Sequence, residues 1–540
     1  MKKLALLVCV LMLTGLVMSG CTAGSTSTET LRFGTSSLDG VFNPILCDSV
    51  YDQYVCSMVF DGLIGNDPKG NPTTDFLASE YKISDDHLTY TFKIRSNAKF
   101  TNGDPVTAAD VKFTFETMCH PKYDGPFGYT VSNIVGYEDL NKGKATELTG
   151  VKIINDKEVS ITVTEPYAGE IYNLGVGILS AKHYAFTTWD EFKAKNADPM
   201  GCGAFTFKDY TPGQACNLVV NKDYFGKKPK LAGVSILMIP DETQIQALIS
   251  GQVDVINPSA NKDNWDQMSA DPAASYAKRF VGNGYNVIGM DLKNPIFADK
   301  KVRQALRYGL NLKEFIDNEW QGFAQPCLTP VSPVSWAYPD TSDLNNYAYD
   351  PEKAKTLLEE AGWKDADGDG IREKDGTKLS FTWIAYNDVA WPQHLQALAT
   401  EQWKAIGVDM KSELMDFNTV SDRVFTQGKF DMFNIGWSLS IDPDPVGMYD
   451  KASDVPGGYN AMHYYNEDAE KIFADARLEF DQTKRAALYK QWAKIANDDL
   501  PYIFCAVREE IWGINAKFKG FDKMGPYYNW VQCLSDVTTK

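Results

Sequence analysis

The chain changes texture part of the way along and then changes back, and that order is what most limits the fold. From Leu31 to Asn221 it runs in short alternating segments broken by turns. Thr89–Arg95 (TYTFKIR) is the clearest, with Tyr90, Phe92 and Ile94 on one face of a strand. Further strands are expected at Leu31–Gly34, Tyr81–Ile83, Val151–Ile154 and Val159–Val163, and a hairpin at Ala204–Asp209 and Ala215–Asn221 around Pro212-Gly213. Helices are expected over Ser49–Phe60 and from Thr107 to Met118, the second opened by a capping-box pattern, Thr107 to Asp110. From Lys300 to Asn497 the apolar period lengthens to that of helices: Lys300–Asp317, a helix begun by Asp350-Pro351 and stopped by Gly362, Pro392–Ile406, Glu467–Phe480 and Thr483–Asn497. Strands Leu379–Ile384 and Val408–Leu414 lie among them, and strand character returns at Pro501–Val507. The pattern predicts an α/β protein with α+β lobes. At 540 residues it exceeds one ordinary core, so two or three domains are expected.

Composition excludes some partners. The formal charge is −18, with no dense run of Lys and Arg, so nucleic acid is not an expected partner. At the N-terminus Lys2 and Lys3 precede an apolar run from Leu4 to Met18, then Ser19-Gly20-Cys21. A basic start with a short apolar stretch reads as an export signal, residues 1–20. Cysteine behind two small residues resembles a bacterial lipobox, in which Cys21 is diacylated, although Met18 stands where leucine is usual. Residues 21–30 then form a polar tether holding a globular body at the extracytoplasmic face of the cell membrane. Of ten cysteines, Cys9 leaves with the signal and Cys21 is acylated. The other eight allow either four disulfides or buried free thiols, and no CxxC suggests zinc.

The stretch Asp431–Tyr449 (DMFNIGWSLSIDPDPVGMY) concentrates the candidate site. A strand carrying Phe433, Ile435 and Trp437 runs into a turn rich in Asp and Pro. A tryptophan just before a bend suits a pocket wall, and main chain just past a strand end has groups free to pair.

Six segments, in order, resemble one family. They are Phe60–Ile64 (FDGLI), Thr89–Arg95, Lys99–Val111 (KFTNGDPVTAADV), Asn294–Leu306 (NPIFADKKVRQAL), Tyr349–Ala354 with its helix to Trp363, and Gly436-Trp437. Together they resemble the solute-binding proteins of bacterial peptide and nickel ABC transporters, from about Leu31 to the C-terminus. The resemblance implies a three-domain fold of the periplasmic-binding-protein type. One lobe would be built from 31–66, 199–284 and 505–540, an inserted domain from 67–198, and the second lobe from 285–504. Ligand would lie between the lobes. Trp437 would wall the pocket, and Gly436 and Ser438 would offer main chain to an extended peptide. Peptide-binding relatives hold the ligand ammonium with an aspartate three residues after the tryptophan; here that residue is Ser440. Either Asp442 replaces it, with Asp444 close behind, or the ligand has no free α-amine. Where some relatives hold a ligand carboxylate with arginine, this chain has Phe425 and Asn434, with Arg423 nearby. Phe417, Asn257, Tyr285 and Tyr129 are further candidates for ligand contact.

The segment Asp365-Ala-Asp367-Gly-Asp369-Gly370 with Glu373 has the carboxylate spacing of a calcium loop, although the twelfth position is Gly376. A structural calcium ion is therefore a candidate; no other cofactor is implied. The five histidines show no metal-protease spacing, and GxSxG and P-loop motifs are absent. The expected protein is not an enzyme but an extracytoplasmic receptor that delivers peptides to an ABC permease and its ATPases. The alternatives are the same fold with a sugar, an opine-like compound or a nickel chelate as ligand, and an exported hydrolase or adhesive lipoprotein.

Overall fold

The computed structural model describes residues 29–540. Cys21, the apolar leader and the tether as far as residue 28 lie outside the described residues. One long strand, Tyr502–Asn515, joins the parts of the chain. Its first half pairs antiparallel with Gly284–Met290, and its second half with Ser275–Val281. Strand order across the whole sheet is 409–415, 380–386, 432–438, 284–290, the long strand, 255–256, 30–35, 233–238, 215–220 and 205–211. The chain thus passes twice, side by side, between two bodies, near 281–284 and near 507–509. Two adjacent crossing strands let such bodies move about a few backbone torsions, as in hinged binding proteins.

The first body holds Thr30–Thr35, parallel to Gly233–Met238, and the hairpin Phe205–Thr211 and Ala215–Val220. Arg32 clamps it with a two-pronged bond to buried Asp254, 2.8 and 2.9 Å. Residues 78–162 add a separate antiparallel sheet, in order Ala78–Ile83, Thr89–Ile94, Glu158–Thr162, Val151–Asn155. Helix Ala108–Met118 begins as its sequence requires, the Asp110 carboxylate accepting the Thr107 N–H at 2.8 Å. Its buried face (Val111, Phe115, Met118) shares one apolar core with Phe33 and Phe60 of the first body. The second body is built on Ser380–Tyr386, Asp409–Met415 and Met432–Ser438, three parallel neighbours in the sheet. Its core centres on Trp383, Trp403, Trp492 and Leu395.

Two expectations change. The pattern from Lys300 to Asp317 is two helices, Lys300–Tyr308 and Leu312–Trp320. Gly309 lets Ile406 approach so closely that a Cβ there would lie 2.6 Å from its side chain, and Asn311 then caps the second helix. The strand expected at Pro501–Val507 runs on to Asn515 because neighbours pair it through Arg508-Glu509-Glu510, residues whose charge hides the strand in the sequence. Between the open alternatives for the cysteines, all eight described thiols are free and buried.

Candidate ligand cleft

The strand Met432–Ser438 is paired along its whole length with Gly284–Met290, Gly436 opposite Asn286 and Trp437 opposite Tyr285. On its other edge Ser380–Tyr386 meets it only at Met432 and Phe433, then turns away. The Leu439 N–H bonds the Asn283 carbonyl and the Asp291 N–H bonds the Asp431 carbonyl, which fixes the ladder phase. Odd-numbered residues spend their main-chain groups on 284–290, so those of Gly436 and Ser438 point to the open edge. Both residues are exposed. This edge lies at the carboxyl ends of three parallel strands, the position at which open α/β sheets take ligands.

Trp437 is half-buried and forms edge contacts with Phe425 at 5.8 Å and Tyr459 at 5.4 Å. Tyr459 is 52% exposed, and Tyr129 of the inserted segment, 66% exposed, lies close enough for the two hydroxyls to interact electrostatically. Partial loss of water around the Tyr129 hydroxyl, and Tyr459 near it, raise its pKa. Tyr129 also lines a cavity of about 910 Å³ walled by the first body and the inserted segment, with Asp61, Asn66, Arg95 and Tyr172 among its walls. The Asp61 carboxyl, bonded by the Tyr224 hydroxyl at 2.8 Å, is pushed up to about 7 by burial. The cavity is lined by the first body and the inserted segment alone, and Tyr129 is its residue nearest in effect to Tyr459.

The loop after Ser438 is fixed from several sides. Asn283 donates to the carbonyls of Leu439 and Ser440. Gly70, at φ +83°, runs so close to Ile441 that a Cβ would lie 2.7 Å from its side chain. Ser440 itself is exposed. Asp442 is buried, and Arg485 binds both its oxygens, Nη2 at 2.9 Å and Nη1 closer still. Asp444 pairs with Arg477 at 3.4 Å, and burial pushes its carboxyl up to about 6. Arg477 covers the ring of Tyr167 from the inserted segment at 4.5 Å, and its carbonyl accepts the Ala168 N–H. Nearby, His87 of the inserted segment stacks on Phe480 at 3.6 Å and 9°. These contacts hold the inserted segment against the second body.

Of the other candidates, Phe417 is 41% exposed at the mouth, edge-on to Tyr386, with its N–H on the Asp388 carboxylate. Tyr285 is buried, its hydroxyl 2.9 Å from that of Tyr449. Asn434 is fully buried with neither amide atom bonded. Asn257, on the first body, donates to the Ile511 carbonyl. Arg423 is spent on Glu413. The structure thus places Gly436, Trp437 and Ser438 together at one strand end, with Tyr285 opposite Trp437, and puts Tyr129 in the neighbouring cavity, within electrostatic reach of Tyr459. Tyr459, Arg477 and Arg485 escaped sequence reading, since nothing in helical spacing ties residues 477 and 485 to a loop forty positions earlier.

In the acidic loop, carboxylate oxygens of Asp365, Asp367 and Glu373 converge within 4.8 Å. The Lys378 ammonium sits against Asp367, Asp369 and Glu373 at 2.6, 3.1 and 3.5 Å. Asp365 accepts the N–H groups of Gly368 and Gly370. The loop therefore carries its own cation, and calcium would have to displace it. The histidines are dispersed, bound or stacked separately to Phe480, Trp189, Asp198, Glu319 and Asp454.

The chain is similar in sequence and fold to known proteins. The model of bacterial extracellular solute-binding proteins, family 5 (middle), matches residues 73–459. The oligopeptide-binding protein AppA of Bacillus subtilis is 31% identical over 533 residues, 93% of each chain. The oligopeptide-binding protein OppA of Lactococcus lactis subsp. cremoris is 27% identical, over 76% of this chain and 73% of its own. The solved structure of AppA from Bacillus subtilis with a nonapeptide superposes with a TM-score of 0.75 at 27% identity, covering 95% of this chain and all of that one.

Proposed function

The chain belongs to the bacterial extracellular solute-binding proteins of family 5, and from that premise we propose that it captures extended peptides between its two bodies and passes them to a membrane ABC permease. The observation that carries the proposal is the unpaired main-chain edge at Gly436 and Ser438. A peptide laid along it adds a strand to the sheet, and main-chain pairing of this kind tolerates many sequences. Trp437, Phe425 and Tyr459 supply apolar walls, and the 910 Å³ cavity that Tyr129 lines has room for ligand side chains.

The family is one of binding proteins and not enzymes, and the protein's work is closure. A ligand touching both bodies favours the closed arrangement by its differential affinity, and the permease reads that state. In this reading Asp442 is a structural carboxylate, because Arg485 takes both of its oxygens and the pair is withdrawn from water. The acidic loop is taken to be held by Lys378, with calcium an optional structural ion. Export and acylation at Cys21 would tether the body to the outer face of the membrane. Radiolabelled palmitate should enter the wild type and not Cys21→Ala.

The direct test is titration with pools of randomised tetrapeptides and nonapeptides, followed by tryptophan fluorescence and thermal shift. Saturable binding with stabilisation is expected. Stabilisation by a sugar or a nickel chelate, with none by either peptide pool, would transfer the fold to a non-peptide solute.

A further inference from the structure

Arg508 is the one arginine among the described residues whose side chain has no hydrogen bond and no ion pair. Arg32, Arg279, Arg423, Arg477 and Arg485 meet carboxylates. The others except Arg508 are bound to main-chain carbonyls. The Arg508 Nε is enclosed without an acceptor. Its guanidinium lies 6.0 Å from the Trp320 ring, and burial lowers its pKa. The charged or titratable groups facing it are Tyr386 and Glu319, and Glu319 is already bonded to His394 at 2.8 Å. A half-buried cation in this state is costly unless something else supplies the acceptor.

Its place in the sheet says what that is. Arg508 stands where the long strand leaves the second body, and its carbonyl accepts the Gly282 N–H, two residues before Gly284 pairs with Ser438. Asn286 lies opposite Ala506 on one side and Gly436 on the other, so these share a sheet face, and Arg508, two residues on from Ala506, points to the same side. The Asn286 amide makes no hydrogen bond, and only the missing Cβ of Gly436 leaves it room, 2.9 Å from where that Cβ would be. Asn434, two residues from Gly436 on this face, also has an unpaired amide. One guanidinium and two amides without partners, just inside an open strand edge, form a donor-rich set of the kind that fits a carboxylate.

We propose that Arg508 holds a carboxylate of the bound ligand, with Asn286 beside it. The proposal rests on the peptide reading above and deepens it. The carboxylate can come from the peptide terminus or from an Asp or Glu side chain, and the test separates these sources.

Randomised tetrapeptide and nonapeptide pools would be titrated as free acids and as C-terminal amides, each with and without Asp and Glu, on wild type, Arg508→Gln and Arg508→Lys. For a terminal carboxylate, the wild type should prefer acids over neutral amides by ~10- to 100-fold, the range of a hydrogen bond to a charged group. Arg508→Gln should erase the preference, and Arg508→Lys should keep part of it. Recovery of affinity only in amide pools containing Asp or Glu assigns the anchor to a side-chain carboxylate. The unliganded melting temperature of Arg508→Gln should not fall, because the native guanidinium has no hydrogen bond or ion pair to lose and glutamine keeps its stem packed. An acid preference that survives in Arg508→Gln, or equal binding of all the pools of either length by the wild type, overturns the assignment while leaving peptide binding intact. Absence of binding by every pool overturns the peptide reading as well.

Discussion

Replacing Asp442 with Asn separates a carboxylate that builds the cleft from one that holds the ligand. The Asp442 and Arg485 side chains are only 6% and 5% exposed, and the pair is made by two charge-assisted bonds. Removing one member of such a pair strands a buried charge and costs ~3–5 kcal/mol. Asparagine keeps one acceptor, and Arg485 retains its bond from Nε to the Ala476 carbonyl and its position over Tyr489. The low end, about 3 kcal/mol, is therefore expected. Urea unfolding should show the loss, and hydrogen exchange should accelerate across 439–449 and the helix Gln482–Asp499. Peptide affinity, measured where the variant is fully folded, should change less than about threefold, under 0.7 kcal/mol. The double change Asp442→Leu with Arg485→Met should recover most of the stability, as apolar replacement of buried pairs commonly does. A variant with wild-type stability and a large fall in affinity would refute the reasoning, and Asp442 would then be the ammonium anchor that Ser440 cannot be.

Other outcomes follow from the same geometry. Ser438→Pro removes an N–H from the open edge while sparing the ladder to 284–290, so calorimetry should show peptide affinity weakened by about 0.5–1.5 kcal/mol. Phe480→Ala deletes the stack on His87, worth ~0.5–1.5 kcal/mol, and stopped-flow release should be faster as closure weakens. Asp61, raised to about 7 by burial, destabilises the fold when ionised: the penalty is absent below about pH 4, grows as pH rises and is complete above 7. Asp61→Asn, which still accepts the Tyr224 bond, should flatten that slope and gain on the order of 4 kcal/mol at pH 8, read from melting curves. Ten millimolar EDTA should leave the melting temperature unchanged if Lys378 holds the acidic loop, whereas a fall would assign calcium there.

Local signals carried much of the architecture into the sequence. Helix Ala108–Met118 and helix Pro351–Glu360 begin where their capping residues demand, because a cap is a contact within four residues. Strand Thr89–Ile94 was legible because one of its faces is buried and its alternation is clean. The crossing strand was legible only in its apolar first half, since Arg508, Glu509 and Glu510 are tolerated where it passes the hinge and the cleft. In the site, Trp437 and its neighbours stood out through composition. What the residues near them do depended on partners distant in sequence. Asp442 met Arg485, Tyr285 met Tyr449, and Arg508 met no hydrogen-bond acceptor. Such partnerships are set by how the second body folds, and no spacing rule encodes them.

The central claim is that the cleft takes peptides along the Gly436–Ser438 edge. Native mass spectrometry of the protein as purified from cells tests it most directly, because a ligand caught between the bodies should survive isolation. A ladder of bound masses that fragment into amino-acid residues, lost on substituting Ser438→Pro together with Trp437→Ala, is the predicted result. One discrete non-peptide mass, or a peptide ladder that the double substitution leaves untouched, would contradict it.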